Sequence, residues 1–86
     1  MNRTGYTSLD GAVAEEVRAL IARTRGVSIK NIAEKLGVRR ATLSARVNGH
    51  VPFAPSLLAA VAGELGATAS ELVARAERNV GLAVAS

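Results

Sequence analysis

The chain has no cysteine, no tryptophan and a single histidine. Without thiols, neither a disulfide nor a thiolate metal site can staple the fold, and one imidazole is too few ligands for a metal centre. Aromatic residues are nearly missing: Tyr6 and Phe53 are the whole set, 2% of 86 residues. Strand-favouring residues are sparse outside a few valines, so Ala, Val and Leu must build the core on short, closely packed helices. The apolar positions of 12–22 are broken by Glu15, Glu16 and Arg18, which excludes a bilayer span there. No basic start followed by an apolar run and a cleavage site marks the N-terminus, and a cytoplasmic protein is expected. Disorder is also excluded, because 49% of the residues are hydrophobic.

Charge is present but unevenly placed. The net charge is +4. Residues 18–46 carry Arg18, Arg23, Arg25, Lys30, Lys35, Arg39, Arg40 and Arg46 against Glu34 alone, which makes that stretch +7. The remainder has three cations against six acids, or −3. A positive field gathered in the middle of the chain is what a phosphate-neutralising surface requires. A solvated basic face without a ligand is the bland reading of the same pattern.

Apolar spacing predicts five helices in one domain over residues 1–86. Residues 1–8 read as a flexible arm, with Ser8 or Asp10 as the first N-cap. Leu9, Val13, Val17, Leu20, Ile21 and Thr24 recur at helical spacing, and Gly26 is expected to end this helix. Ser28 caps a second helix with an inner stripe of Ile29, Ile32, Ala33 and Leu36. Gly37 and Val38 form a turn, and a third helix runs over about 39–48 with Leu43 and Val47 inward. Phe53 closes the following loop onto the core, and Pro55 opens a fourth helix lined by Leu58, Val61, Ala62 and Leu65. Thr68 and Glu71 match a capping box. The fifth helix turns Leu72, Val73, Ala76 and Val80 inward, and Glu71 is spaced to pair with Arg75. The tail from Gly81 has three options: fraying, continuing the helix, or pairing as a short strand.

Residues 28–49 carry the chemistry. Two short amphipathic helices joined by a tight glycine turn make a helix-turn-helix. Ala33 must be small where the third helix crosses the second, and Gly37 must take a left-handed conformation. With Leu43 and Val47 fixing the buried direction at about 100° per residue, Ala41, Ala45 and Asn48 point outward. Arg40 and Ser44 flank one side of that apex, and Arg39, Thr42 and Arg46 the other. A small apex admits the backbone to a major groove, where Ala methyls meet thymine methyls and Arg reaches guanine or phosphate. The reading assigns base contact to Arg39, Arg40, Ala41, Ser44 and Ala45. It assigns phosphate contact to Ser28, Lys30, Thr42, Arg46, Asn48 and His50, with Ser28 acting through the open N–H groups of its helix.

The fragments "IAEKLGV", "RATLS" and "NG", followed by "LLAAVAGELGATASELV", resemble the Cro/repressor type of helix-turn-helix, also called the XRE or lambda-repressor-like family. The resemblance covers about residues 13–75. It implies an all-α, five-helix fold and a small regulator of the kind common in actinobacteria and their phages. It also implies a homodimer on a palindromic operator, with the fifth helix and residues 80–86 as the candidate contact. Ile29 stands where the family often carries Gln, which removes one phosphate contact. Val47 stands where Glu is frequent and is core here. Ala45 stands where Lys or Arg is frequent, and Arg46 is the neighbouring replacement.

No other chemistry competes. Ser44 has no sequence neighbour to activate it, no glycine-rich phosphate loop occurs, and no acid–base constellation is present. The chain is therefore expected to be non-enzymatic, with no metal, cofactor or small-molecule ligand and no membrane partner. Its partner is double-stranded DNA. Its short length leaves no room for a sensing domain, which favours a Cro-like regulator or repressor. The alternatives are the antitoxin of a toxin–antitoxin pair and a helical protein–protein module without DNA binding.

Overall fold

The helix ends follow from local side-chain chemistry. In the computed structural model, which describes residues 8–85 and side chains through residue 81, five helices follow one another: α1 (Leu9–Arg23), α2 (Ile29–Leu36), α3 (Arg40–Val47), α4 (Pro55–Glu64) and α5 (Ala69–Ala85). Ser8, counted above with a flexible arm, is the N-cap of α1, its Oγ accepting the Gly11 N–H at 3.2 Å. Asp10 then sits in the first turn, where a carboxylate suits the helix dipole. The rest of the expected arm, residues 1–7, lies outside the described residues.

Two expectations for α1 are corrected. Thr24 does not continue the inner stripe. It turns extended at the helix end, and its Oγ1 donates to the Leu20 carbonyl at 2.7 Å. Gly26, with φ +82°, belongs to the turn beyond. Leu9 is not core either: it is 41% exposed, and the buried face is Ala12, Val13, Ala14 and Val17. Small alanines on α1 let its neighbours approach closely: α5 packs along the helix, and Gly49 at the end of α3 faces Ala14. The two helices are also tied by Asn79 Nδ2, which donates to Glu16 Oε2 at 2.8 Å.

Later ends match their signals. Ser28 caps α2, and Gly37 closes it at φ +70°, a conformation costly for any residue with a Cβ. Pro55 opens α4. The capping box of α5 forms both bonds: Glu71 N–H to Thr68 Oγ1 at 3.1 Å, and Thr68 N–H to Glu71 Oε1 at 2.9 Å. With its carboxylate turned back in this way, Glu71 makes no ion pair with Arg75. Of the three options for the tail, the backbone takes helical continuation, since α5 runs to Ala85.

Every helix feeds one core. Val17 of α1, Ile32 of α2, Leu43 and Val47 of α3, Val61 of α4 and Leu72 of α5 are its largest fully buried members. Each such side chain contributes roughly 1.5–3 kcal/mol by leaving water. Phe53 and Val38 pack on the core's edge as expected, and Ile29 and Leu36 are half-buried there. Among the described residues no polar or charged residue is buried. This core fixes α3 by its inner face and leaves the outer face to solvent.

Candidate nucleic-acid interface

The site is built on α2, the turn at Gly37 and α3. The turn is compact because Val38 N–H reaches back to the Ala33 carbonyl at 3.0 Å and Gly37 N–H to Glu34 at 3.3 Å. Ala33 is buried beneath the crossing of the two helices, where a larger side chain would push them apart. α3 spans Arg40–Val47, with Arg39 and Asn48 as its caps. Arg39 makes no side-chain capping bond. A guanidinium has no acceptor to offer the N–H groups of a helix start, and Arg39 forms no ion pair among the described residues, which leaves it open to an external partner.

The expected contact residues fall into three groups. Ser28, Lys30, Arg40 and Ser44 line one open groove, shared with Ile21 and Val27 between the α1–α2 connection and the flank of α3. Ser28 Oγ is fully engaged, accepting the Asn31 N–H at 3.1 Å and donating to Asn31 Oδ1 at 2.8 Å. An anion at this helix end would therefore meet the N–H groups of Ile29 and Lys30, not the hydroxyl. Thr42 and Arg46 form the second group on the other flank, where the Arg46 guanidinium donates to the Thr42 carbonyl at 2.9 Å. Asn48 and His50 form the third, in a cleft of about 470 Å³ at the C-terminal end of α3, together with Arg18 and Asp10. Asn48 Nδ2 also donates to Ser44 Oγ at 3.2 Å.

The apex between these groups is small, as the wheel predicts. Ala41 is exposed and Ala45 half-buried. Ala45 sits lower because its carbonyl accepts the N–H groups of His50 and Val51, at 2.9 and 3.3 Å, as the chain doubles back over the helix end. Gly49 makes that reversal at φ +82°.

The cations divide by partner. Among the described residues, Lys30, Arg39 and Arg40 form no ion pair and no side-chain hydrogen bond, while Lys35 pairs with Glu64 at 3.6 Å. Arg18 departs from the sequence reading. It was counted only as part of the positive field, yet its Nη1 donates to the Val47 carbonyl at 2.7 Å and its Nη2 meets Glu15 Oε2 at 3.2 Å. The Glu15–Arg18 spacing on α1 could have signalled the ion pair. The Val47 carbonyl, 29 residues away, has no sequence signal at all.

A basic, partner-free helix face held on a tight two-helix corner defines a helix-turn-helix domain. The family model described as Helix-turn-helix matches residues 17–72, and the chain belongs to this family, in its Cro/repressor, or XRE, branch. Among solved structures it is similar to the clp gene regulator ClgR from Corynebacterium glutamicum. The two share 28% sequence identity and a TM-score of 0.80, over 93% of this chain and 84% of that one. No curated protein matches the sequence. No single helix among the described residues is long and apolar enough to cross a membrane. Nor do three or more His, Asp or Glu side chains gather there as a metal site.

Proposed function

We propose that the protein is a sequence-specific, double-stranded-DNA-binding transcriptional regulator that lays α3 in the major groove of an operator. The observation that carries this is the outer face of α3. Arg39 and Arg40 stand without intramolecular partners beside the exposed Ala41, at the helix end that enters a groove deepest. Arg39, Arg40, Ala41, Ser44 and Ala45 meet base edges in this reading. The N-terminus of α2 at Ser28, with Lys30, Thr42, Arg46, Asn48 and His50, meets phosphates. Family membership and the likeness to a gene regulator support the reading.

Residues 1–86 act as one DNA-binding unit of the Cro-like kind, in the cytoplasm, with no chemistry of catalysis. The unit pairs as a homodimer through the end of α5. Residues 82–86, five of the seven in the expected tail contact, have side chains outside the described set.

A salt series on a random duplex tests the claim. Each neutralised phosphate contributes a slope of about −0.9 in log K against log salt. On a random duplex Lys30, Arg39, Arg40 and Arg46 are the cations at the interface, so the slope is expected to lie near −3 to −4 per protomer, on the order of 0.9 for each. No measurable binding at low salt would reject DNA binding and leave a protein–protein module or another partner class in its place.

A further inference from the structure

Arg18 lies on α1, outside the two helices that make the motif, yet it holds the end of the helix that reads. The last turn of any helix leaves carbonyls without partners. In α3 these are shared out. The Ala45 carbonyl takes the His50 and Val51 N–H groups, and the Arg46 carbonyl takes Gly49 N–H at 3.1 Å. The Val47 carbonyl takes the Arg18 guanidinium at 2.7 Å. A cation at a helix C-terminus also has the favourable sign against the dipole. Glu15 holds the second prong of the same guanidinium at 3.2 Å, so the fork is fixed at both ends.

The rest of α3 has few directed side-chain ties to the body. It is eight residues long, its N-cap makes no side-chain bond, and two residues, Leu43 and Val47, are fully inside. Among the described residues, the Arg18 bond is the side-chain hydrogen bond that joins α3 to another helix. Apolar packing through these two side chains fixes the rotation of the helix more firmly than its tilt. Base readout needs its side chains placed to within roughly 0.5 Å and 10–20°.

We infer that Arg18 is a positioning residue for DNA reading: with Glu15 it sets the tilt of α3 against α1, and it governs discrimination between sequences instead of touching phosphate. This rests on the DNA-reading role proposed above.

The test uses the whole chain as wild type, Arg18→Gln, Arg18→Lys and Glu15→Gln. The first measurement is amide hydrogen exchange in the free protein, which needs no DNA. In Arg18→Gln the amides of Asn48, Gly49 and His50 are expected to exchange roughly tenfold faster, while those of Ile32 and Ala33 stay unchanged. The second measurement compares the duplex that the wild type recovers from a random pool with a shuffled duplex of the same composition. Preference between them falls roughly tenfold in Arg18→Gln, while the salt slope on the shuffled duplex is unchanged. Glu15→Gln, which keeps the guanidinium and weakens one prong by removing the acceptor's charge, moves both readouts the same way by less. Arg18→Lys, which keeps the charge and loses the fork, stays below wild type in preference.

Unchanged exchange and unchanged preference overturn the inference. So does a loss of about 0.9 in salt slope with both duplexes weakened equally and Arg18→Lys restoring them, since Arg18 is then a phosphate contact. If Arg18→Gln does not fold, Glu15→Gln decides by the same two measurements. If the wild type recovers no duplex, the DNA-reading role fails, and the exchange result still decides whether Arg18 holds α3.

Discussion

Replacing Arg40 by Ala is expected to weaken binding to the preferred duplex by about 1–3 kcal/mol and to relax selectivity at one base position. Arg40 is the first residue of α3, exposed, without an ion pair, and seated on the groove shared with Ser28 and Lys30. From there its guanidinium has the reach and the two-pronged geometry for guanine O6 and N7. The effect is large because a base edge left unpaired in a desolvated groove costs more than a surface ion pair contributes. A binding series over all single-base variants of the preferred site checks it. Equal weakening on every variant would make Arg40 a phosphate contact and move base reading to Arg39 and Ser44.

The second large effect concerns the body under the reading helix. Leu43→Ala is expected to destabilise the fold by about 2–5 kcal/mol, the usual range for emptying a tight core site. Leu43 is completely buried beside Ile32 and Val47, where no surface loop can collapse into the space. A domain of this size holds roughly 4–13 kcal/mol in total, so this one change removes a large share. Leu9→Ala is the control, because a residue 41% exposed at a helix start should shift stability by no more than about 0.5 kcal/mol. Urea unfolding of the two variants with unchanged m-values checks both. Similar losses in the two would mean that the core is not centred under α3.

The contrast between those leucines shows what the chain discloses by itself. Periodicity, caps and glycines are local signals. Ser28, Gly37, Pro55 and the Thr68–Glu71 box therefore place their helices with little ambiguity. The outward face of α3 is equally legible, because two buried residues fix its rotation. Leu9 misleads because apolar spacing cannot say whether the first turn of a helix has anything to pack against. Ala12 and Ala14 are overlooked for the opposite reason: their burial follows from the packing of other helices on α1, with Gly49 at the end of α3 facing Ala14, a fact of tertiary structure. Arg18 is the sharpest case. Composition counts it as one more positive charge, and only the fold shows its guanidinium committed to the end of α3.

Charge has to be discounted in the same way before it is read as an interface. Of the eight cations between residues 18 and 46, Arg18 and Lys35 face acids of the chain itself. Arg46 is turned back on the Thr42 carbonyl, and five cations have no partner within the described residues: Arg23 and Arg25 at the end of α1, and Lys30, Arg39 and Arg40 around α3 and the start of α2, on the surface that a duplex would meet.

Selection of bound duplexes from a random pool by the 86-residue chain tests the central claim most directly, because it asks whether α3 reads sequence. The expected result is one enriched motif with two inverted half-sites, centred about 10 base pairs apart as a two-fold pair of reading helices demands. It should carry a guanine whose enrichment disappears with Arg40→Ala. A pool that stays unenriched while the protein binds it in a salt-dependent way would contradict sequence reading by α3 and leave non-specific phosphate binding as its role.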